Sequence, residues 1–340
     1  MLDTRVKDWS TEHGGEASER SYRDLFASIA RFVVGAVAIG AFLFGAQKAL
    51  PYVQNGAAVV GQVKLGFAQG SNLFRPSDKI RIVSFGNSKT LAGFQALTFD
   101  AALGANARSF NLAIPGDDRY VDLLETALSH GNAPTHVFVQ GFPHSKQNAD
   151  SLWTFLLDNK KMVNLIFPFR EYVRDALIFA YEARAAGGLV RQYKSNAAQI
   201  EKLQSEHGYY FIKSQSHYAG DRLPDDYTLP TDRPNEVMKR PIDPADAEFV
   251  RLMRLADKYD FQVVLVPVAF RRGEFAAPPD ADSEAANILR TYKRAHVIGP
   301  AYWIYETREF SDPVHLNPEG AERYTRQLAA LFQHSLASGF

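Results

Sequence analysis

Three residues of this 340-residue chain have the types and settings for nucleophilic chemistry: Ser88, Asp312 and His315. Ser88 lies in the stretch Ile82-Val83-Ser84-Phe85-Gly86-Asn87-Ser88-Lys89-Thr90-Leu91. The run Ile80 to Phe85 reads as a buried strand, Gly86 lets the chain turn sharply, and Leu91, Phe94, Gln95, Ala96, Leu97 and Phe99 continue as a helix with one apolar side. The serine hydroxyl is then exposed where a strand hands over to a helix. Backbone N–H groups at the helix start would face an oxyanion formed when it attacks. Asp312 and His315 stand three residues apart in a turn held by Pro313, just before a helix. That spacing lets the carboxylate lie against one imidazole nitrogen and leaves the other free to accept a proton, in a tautomer set by the Asp. Each feature alone has a plainer reading: a serine at this junction also serves as an N-cap, and a loop carboxylate and histidine are often only solvated.

Other chemistries find less support. Gly86-Asn87-Ser88-Lys89-Thr90 lacks the second glycine of the G-x-S-x-G nucleophile elbow. It is not a phosphate loop, because Lys89 follows the serine and no glycine lies five residues before Gly86. The nine histidines are scattered without metal-ligand spacing, so no metal is expected, and no coenzyme fingerprint is present, so no cofactor is expected. Asp117-Asp118 and Asp225-Asp226 read as solvated loop carboxylates. Lys+Arg and Asp+Glu balance at 38 each, which gives no support to a nucleic-acid partner. The absence of cysteine removes disulfides, thiolate catalysis and thiolate metal ligation.

The elements that must position the three residues follow a regular rhythm. Strands are expected at Ile80–Phe85, Arg108–Ala113, His136–Gln140 and Phe261–Pro267, with a last short one at His296–Ile298. Helices are expected around Tyr120–Leu128, Ala247–Tyr259, Ser283–Arg294 and Ala321–Leu336. Strand and helix alternating at this spacing predict an α/β fold, a parallel sheet with helices on both faces. Residues 145–245 break the rhythm and are expected to form an insertion over one end of the sheet. Trp153, Phe155, Leu156, Leu157, Val163, Ile166, Phe167 and Phe169 suggest packed helices there, as core or as a glycan or lipid platform. Its end, with Pro224, Pro230, Pro234, Pro241 and Pro244, cannot be one long helix.

The N-terminal part reads differently. Residues 1–24 form a polar tail expected in the cytoplasm, residues 25–50 a transmembrane anchor, residues 51–77 a helix and then a linker, and residues 78–340 the main domain. Phe32 through Ala46 carries no charge, and adding Leu25–Ala30 with Arg31 snorkelling gives a bilayer-spanning length. Arg5, Lys7, Arg20, Arg23 and Arg31 precede this segment, which places the N-terminus inside and the main domain outside the cytoplasm. A signal peptide or a buried core helix are the rival readings.

Taken together, the short blocks resemble the SGNH (GDSL-type) hydrolase superfamily over roughly residues 78–144 and 246–338. The first block is matched by Phe85-Gly86-Asn87-Ser88, with Asn87 where Asp is usual; the second by Phe110-Asn111-Leu112-Ala113-Ile114-Pro115-Gly116; the last by Asp312-Pro313-Val314-His315-Leu316-Asn317-Pro318-Glu319-Gly320. The resemblance implies a three-layer, flavodoxin-like sandwich and a triad of Ser88, His315 and Asp312. It also implies an oxyanion hole from the N–H groups of Ser88 and Gly116. The third block departs from the family's Gly-x-Asn-Asp: the chain has Gly141-Phe142-Pro143-His144, and His144 is the nearest substitute donor. The layout is similar to membrane-anchored members that O-acetylate exopolysaccharides or D-alanylate cell-wall polymers. This likeness implies a serine acyltransferase or esterase, a glycan acceptor, and a membrane-bound O-acyltransferase as partner. An inactive, polymer-binding scaffold and a secreted esterase stand as alternatives.

Overall fold

The computed structural model describes residues 14–53, 56–70, 72–115, 120–141, 170–211, 218–278 and 280–339. The chain divides into two units, Met1–Pro51 and Tyr52–Phe340. The first is dominated by helix α1 (Gly14–Val53), so the tail expected over residues 1–24 is already helical from Gly14. Within α1, Tyr22–Phe42 is long and apolar enough to cross a membrane, and its side chains are not buried. Leu25, Phe26, Phe32, Val34 and Phe42 are all exposed, as befits a helix whose apolar surface the protein itself does not cover.

The second unit is an α/β domain. Its strands are β1 (Ile80–Ser84), β2 (Ala107–Asn111), β3 (His136–Val139), β4 (Gln262–Leu265), β5 (Val268–Arg271), β6 (Ala295–Val297) and β7 (Tyr302–Tyr305). Five form one parallel sheet in the order β2-β1-β3-β4-β6. Counted along the chain within that sheet, the order is 2-1-3-4-5, one of the two common doubly wound arrangements. The central strands are apolar on both faces, as buried parallel strands must be. Val83, Val137, Val139, Val263 and Leu265 face one core, with α2 (Gly56–Gln69), α5 (Tyr120–Ser129) and α8 (Ala247–Tyr259) over it. Ile82, Phe138, Val264 and Val266 face a second core, covered by α4 (Ala96–Leu103) and α10 (Pro318–Ser338). The remaining helices are α3 (Ser88–Gly93), α6 (Arg170–Ala186), α7 (Leu189–Ser205) and α9 (Ser283–Leu289).

Several boundaries differ from the sequence reading, each for a physical reason. The helix expected to run from Leu91 through Phe99 is broken into α3 and α4, with Phe94 and Gln95 extended between them. Thr325 accepts from the Gln95 N–H and donates to the Gly93 carbonyl, satisfying the groups that the break leaves free. The strand expected through Pro267 ends at Leu265, and the chain continues as β5, which pairs in parallel with β7 in a separate two-stranded sheet. Pro267 has no N–H to give a ladder, which suits a gap between the two sheets. Residues 302–305, read from sequence as loop, form β7.

The stretch expected to pass from helix into linker contains α2, whose Val59, Val60 and Val63 pack against Ile200 and Leu203 of α7. Lys64 on the same helix is wholly buried, and its ammonium donates to the carbonyls of Asn111 and Gly208. Gly208 has φ of +91°, and a Cβ there would fall on the Asn111 carbonyl, so only glycine admits this close approach.

The described part of the insertion is a helical hairpin, α6 and α7, followed by the proline-bearing segment to residue 246. The aromatic stretch from Trp153 to Phe169 lies outside the described residues. Among the described residues, polar bonds tie the insertion to the sheet. The His207 carbonyl accepts from the Asn111 N–H at 2.8 Å, extending the β2 edge. Arg240, whose side chain is 1 % exposed, donates to the carbonyls of Gln140, Val266 and Pro300 and to the Asp282 carboxylate. Three carbonyl groups beyond the C-terminal ends of β3, β4 and β6 are thus tied by one guanidinium, whose fixed fork of donors suits that task.

Candidate functional site

In an open parallel sheet of this order, the crevice beyond the C-terminal ends of the first and third strands is where ligands bind, because their connections leave in opposite directions. Ser84, the last residue of β1, sits in register between Asn111 of β2 and Phe138 of β3. Ser88 follows four residues later as the first residue of α3, partly buried. The turn between them requires Gly86, since a Cβ at that position would fall on the Thr90 hydroxyl. Asn87 caps the helix, its side-chain oxygen accepting from the Lys89 N–H at 2.9 Å. Ser88 is therefore not the cap, and its hydroxyl is left over from the local structure.

The helix carrying Ser88 is fixed from outside. The Asn111 amide, fully buried, donates to the carbonyls of Thr90 at 3.0 Å, Leu91 at 3.2 Å and Phe94 at 2.8 Å, while its oxygen accepts from the Ala113 N–H at 3.1 Å. One side chain from the end of β2 thus adds to the backbone bonds at the C-terminal end of α3, where the Thr90 carbonyl also accepts from the Phe94 N–H and the Leu91 carbonyl from the Tyr210 N–H. On the other side α3 packs against α10, with Gly93 facing Leu316 and Tyr324, and with the Gln95 amide donating to the Pro318 carbonyl at 2.9 Å.

The second half of the site lies in the turn just before α10. Phe310 and Leu316 close it as an antiparallel bridge, and the Ser311 N–H donates to the His315 carbonyl at 2.9 Å. Asp312 and His315 meet as their spacing predicts: Nδ1 of the ring is 2.7 Å from Oδ2 of the carboxylate. The other carboxylate oxygen accepts from the N–H groups of Val314 at 2.9 Å and His315 at 2.8 Å. Burial works against the Asp312 carboxylate, but the ring and these two N–H groups outweigh it and hold the pKa below the ordinary value. With Nδ1 bound to the carboxylate, Nε2 is the acceptor. It is buried and, among the described residues, has no hydrogen-bond partner, so Ser88 is not bonded to it. The structure joins Asp312 to His315, and brings the helix of Ser88 against the segment that follows His315, without a Ser88–His315 hydrogen bond.

Lys89 was not singled out as functional in the sequence, where it served only to exclude a phosphate loop. Its ammonium lies 3.7 Å over the ring centre of Phe270 on β5 and 3.8 Å from the Glu274 carboxylate. Burial pushes its pKa down to about 8 despite the favourable fields of Glu274 and Asp312. A cation is therefore held within the field of the Asp312 carboxylate. Nothing in the local run Asn87-Ser88-Lys89-Thr90 signals this, because the aromatic face it uses belongs to a strand some 180 residues downstream. Gly116 and His144, the two other residues expected around an oxyanion, lie outside the described residues.

No protein-family model matches this chain, and no curated protein or solved structure gives a significant match to it.

Proposed function

We propose that the chain is a membrane-anchored serine acyltransferase or esterase of SGNH type, acting outside the cytoplasm on an ester of an exopolysaccharide or cell-envelope glycan. The observation that carries this reading is the Asp312–His315 pair at 2.7 Å with a buried, unbonded Nε2, set in the turn next to the helix that starts with Ser88. A histidine held only as a structural group would have both ring nitrogens satisfied when buried. Here one nitrogen is committed to the carboxylate and the other is kept as a base.

In the proposed reaction Nε2 of His315 takes the proton from the Ser88 hydroxyl as its oxygen attacks the ester carbonyl. The oxyanion is held by the Ser88 N–H at the start of α3 and, from the family resemblance, by the Gly116 N–H. The alcohol leaves with the proton from His315, giving an acyl-serine. A glycan hydroxyl or water then loses its proton to Nε2, attacks the acyl carbon, and restores Ser88. Asp312 holds the ring and stabilises the imidazolium in both steps. The apolar span Tyr22–Phe42 would supply the anchor, the positive residues toward its N-terminal end support an N-terminus in the cytoplasm, and a membrane-bound O-acyltransferase is the expected acyl donor.

The test is labelling of the full chain in detergent by a fluorophosphonate. Labelling that disappears in Ser88→Ala is expected. A second reading, a non-catalytic glycan-binding or scaffolding subunit, draws on the missing Ser88–His315 bond and on Gly141-Phe142-Pro143-His144 in the third block. It predicts no labelling of folded protein.

A further inference from the structure

The hairpin of α6 and α7 carries an exposed apolar tip that neither core uses. Leu177 is 66 % exposed, Tyr181 74 %, Leu189 58 % and Val190 68 %. Leu177 and Tyr181 are one turn apart on α6, and Leu189 and Val190 open α7 directly after the turn. The turn is built from Gly187 and Gly188, with φ of +81° and +127°, and the Gly188 N–H donates to the Ala183 carbonyl at 2.7 Å. Leu189 and Val190 are thus carried by a tightly closed turn. Around them stand Arg184, Arg191 and Lys194, all exposed, while Glu182 is the one acid between residues 177 and 195.

We infer that this tip is a second membrane contact, inserting Leu189 and Val190 among the acyl chains of an anionic bilayer while Arg184, Arg191 and Lys194 meet its headgroups. The chemistry is that of an interfacial element: aliphatics at the apex, a tyrosine beside them, and cations on long apolar stems at headgroup depth. The inference rests on the membrane anchor proposed above. Connectivity favours it, because α2, which packs on α7 through Val59, Val60 and Val63, begins three residues after α1 ends. The short connection also raises the local concentration of the tip near the lipid, so weak insertion suffices.

The chain has no cysteine, so single labels can be placed without background. Full-length protein carrying Leu189→Cys or, separately, Val190→Cys is labelled with an environment-sensitive fluorophore. It is reconstituted into 3:1 phosphatidylcholine–phosphatidylglycerol vesicles doped with a spin-labelled quencher lipid. Ile39→Cys reports on the anchor. Quenching of both tip labels by at least twofold is expected. Reversing one cation, as in Arg191→Glu, should lower the ratio of inserted to free tip by at least about fivefold, the effect of losing one headgroup contact. If Ile39 is quenched and neither tip label is, the inference fails and the anchor stands. If none is quenched, both fail. A tip label shielded from lipid quencher and from aqueous iodide alike is covered by protein, a second copy or a partner, and overturns the inference. Quenching unchanged by Arg191→Glu removes the anionic headgroup from it.

Discussion

The turn that carries Asp312 and His315 is held almost entirely from within, whereas the helix that begins at Ser88 is held from elsewhere in the chain. In the turn, ring, carboxylate and two N–H groups all belong to residues 312–315, and the closing bridge joins Phe310 to Leu316. On α3 the fixed points come from Asn111, from Thr325 and from the glycine needed at 86. A locally closed turn keeps its geometry when its surroundings shift. A six-residue helix has too few internal bonds to do so, and its direction is whatever its neighbours impose. The proposed chemistry needs both, so the two halves should fail in different ways when altered.

The largest effect is expected in the turn. Asp312→Asn keeps an oxygen for the Val314 and His315 N–H groups, so the turn should persist. The new amide donates to Nδ1 and forces the ring proton onto Nε2, which can then no longer take a proton from Ser88. Fluorophosphonate labelling should slow by about 10³–10⁴-fold with thermal stability nearly unchanged. Labelling at the wild-type rate would show that the pair plays no part in activating Ser88.

Asn111→Ala should do the reverse, striking stability as hard as labelling. It removes the NH2 group, two N–H donors shared among three buried carbonyls of the α3 region, and the acceptor for Ala113, a loss of about 3 kcal/mol in denaturant unfolding. Asn111→Asp has almost the same shape but turns oxygens toward those carbonyls, and is expected to be at least as costly. A harmless Asn111→Asp would mean that α3 is held by packing alone.

Lys89 stands between the halves and should separate function from stability by sign. The amine titrates at 10.5 when free and near 8 in the fold. Between those values the unfolded chain keeps a proton that the folded chain has lost, so stability rises with pH from about 8 to 10.5. Below 8 the burial penalty is present in full. Lys89→Met should therefore stabilise the protein at pH 7 by up to about 3 kcal/mol and reduce the slope above pH 8. Lys64, likewise depressed by burial, retains a slope of the same sign. Unfolding midpoints at pH 7 and 9.5 for both chains measure this.

The same contrast explains what could be read from the sequence. Short continuous apolar runs around Val83, Val137 and Val263 announce a parallel sheet because each strand buries both faces whatever its neighbours are. The Asp312–His315 contact was legible because three residues of spacing in a proline-bearing turn nearly determine it. The break between α3 and α4 was not. Leu91, Phe94 and Phe99 keep a helical period, and the break depends on Asn111 and Thr325, one side chain from another strand and one from the last helix. Strand β7 was missed because Tyr302–Tyr305 becomes a strand only by pairing with β5, beyond the main sheet. The setting of Lys89 carries no local signal, since the Phe270 ring and Glu274 that surround it arrive from a distant strand and its following turn. Local chemistry could be read; support reaching across the chain could not.

Thr325→Val gives the smallest effect and the finest division between the halves. The hydroxyl is fully buried, accepts from the Gln95 N–H at 3.0 Å and donates to the Gly93 carbonyl at 3.1 Å. Valine keeps the volume and removes both bonds, at a cost of about 1–2 kcal/mol. Thr325 touches the end of α3 and no part of the Asp312–His315 turn, so the imidazole should keep its tautomer, visible as an unchanged Nδ1–H resonance. Labelling should slow by less than about tenfold, since Asn111 still holds the helix. Thr325→Ser, which loses only a methyl group, should cost about 1 kcal/mol of stability yet label at the wild-type rate. If serine and valine slowed labelling equally, the hydroxyl would be excluded as the link, and the position of Ser88 would depend on how tightly α10 packs against α3.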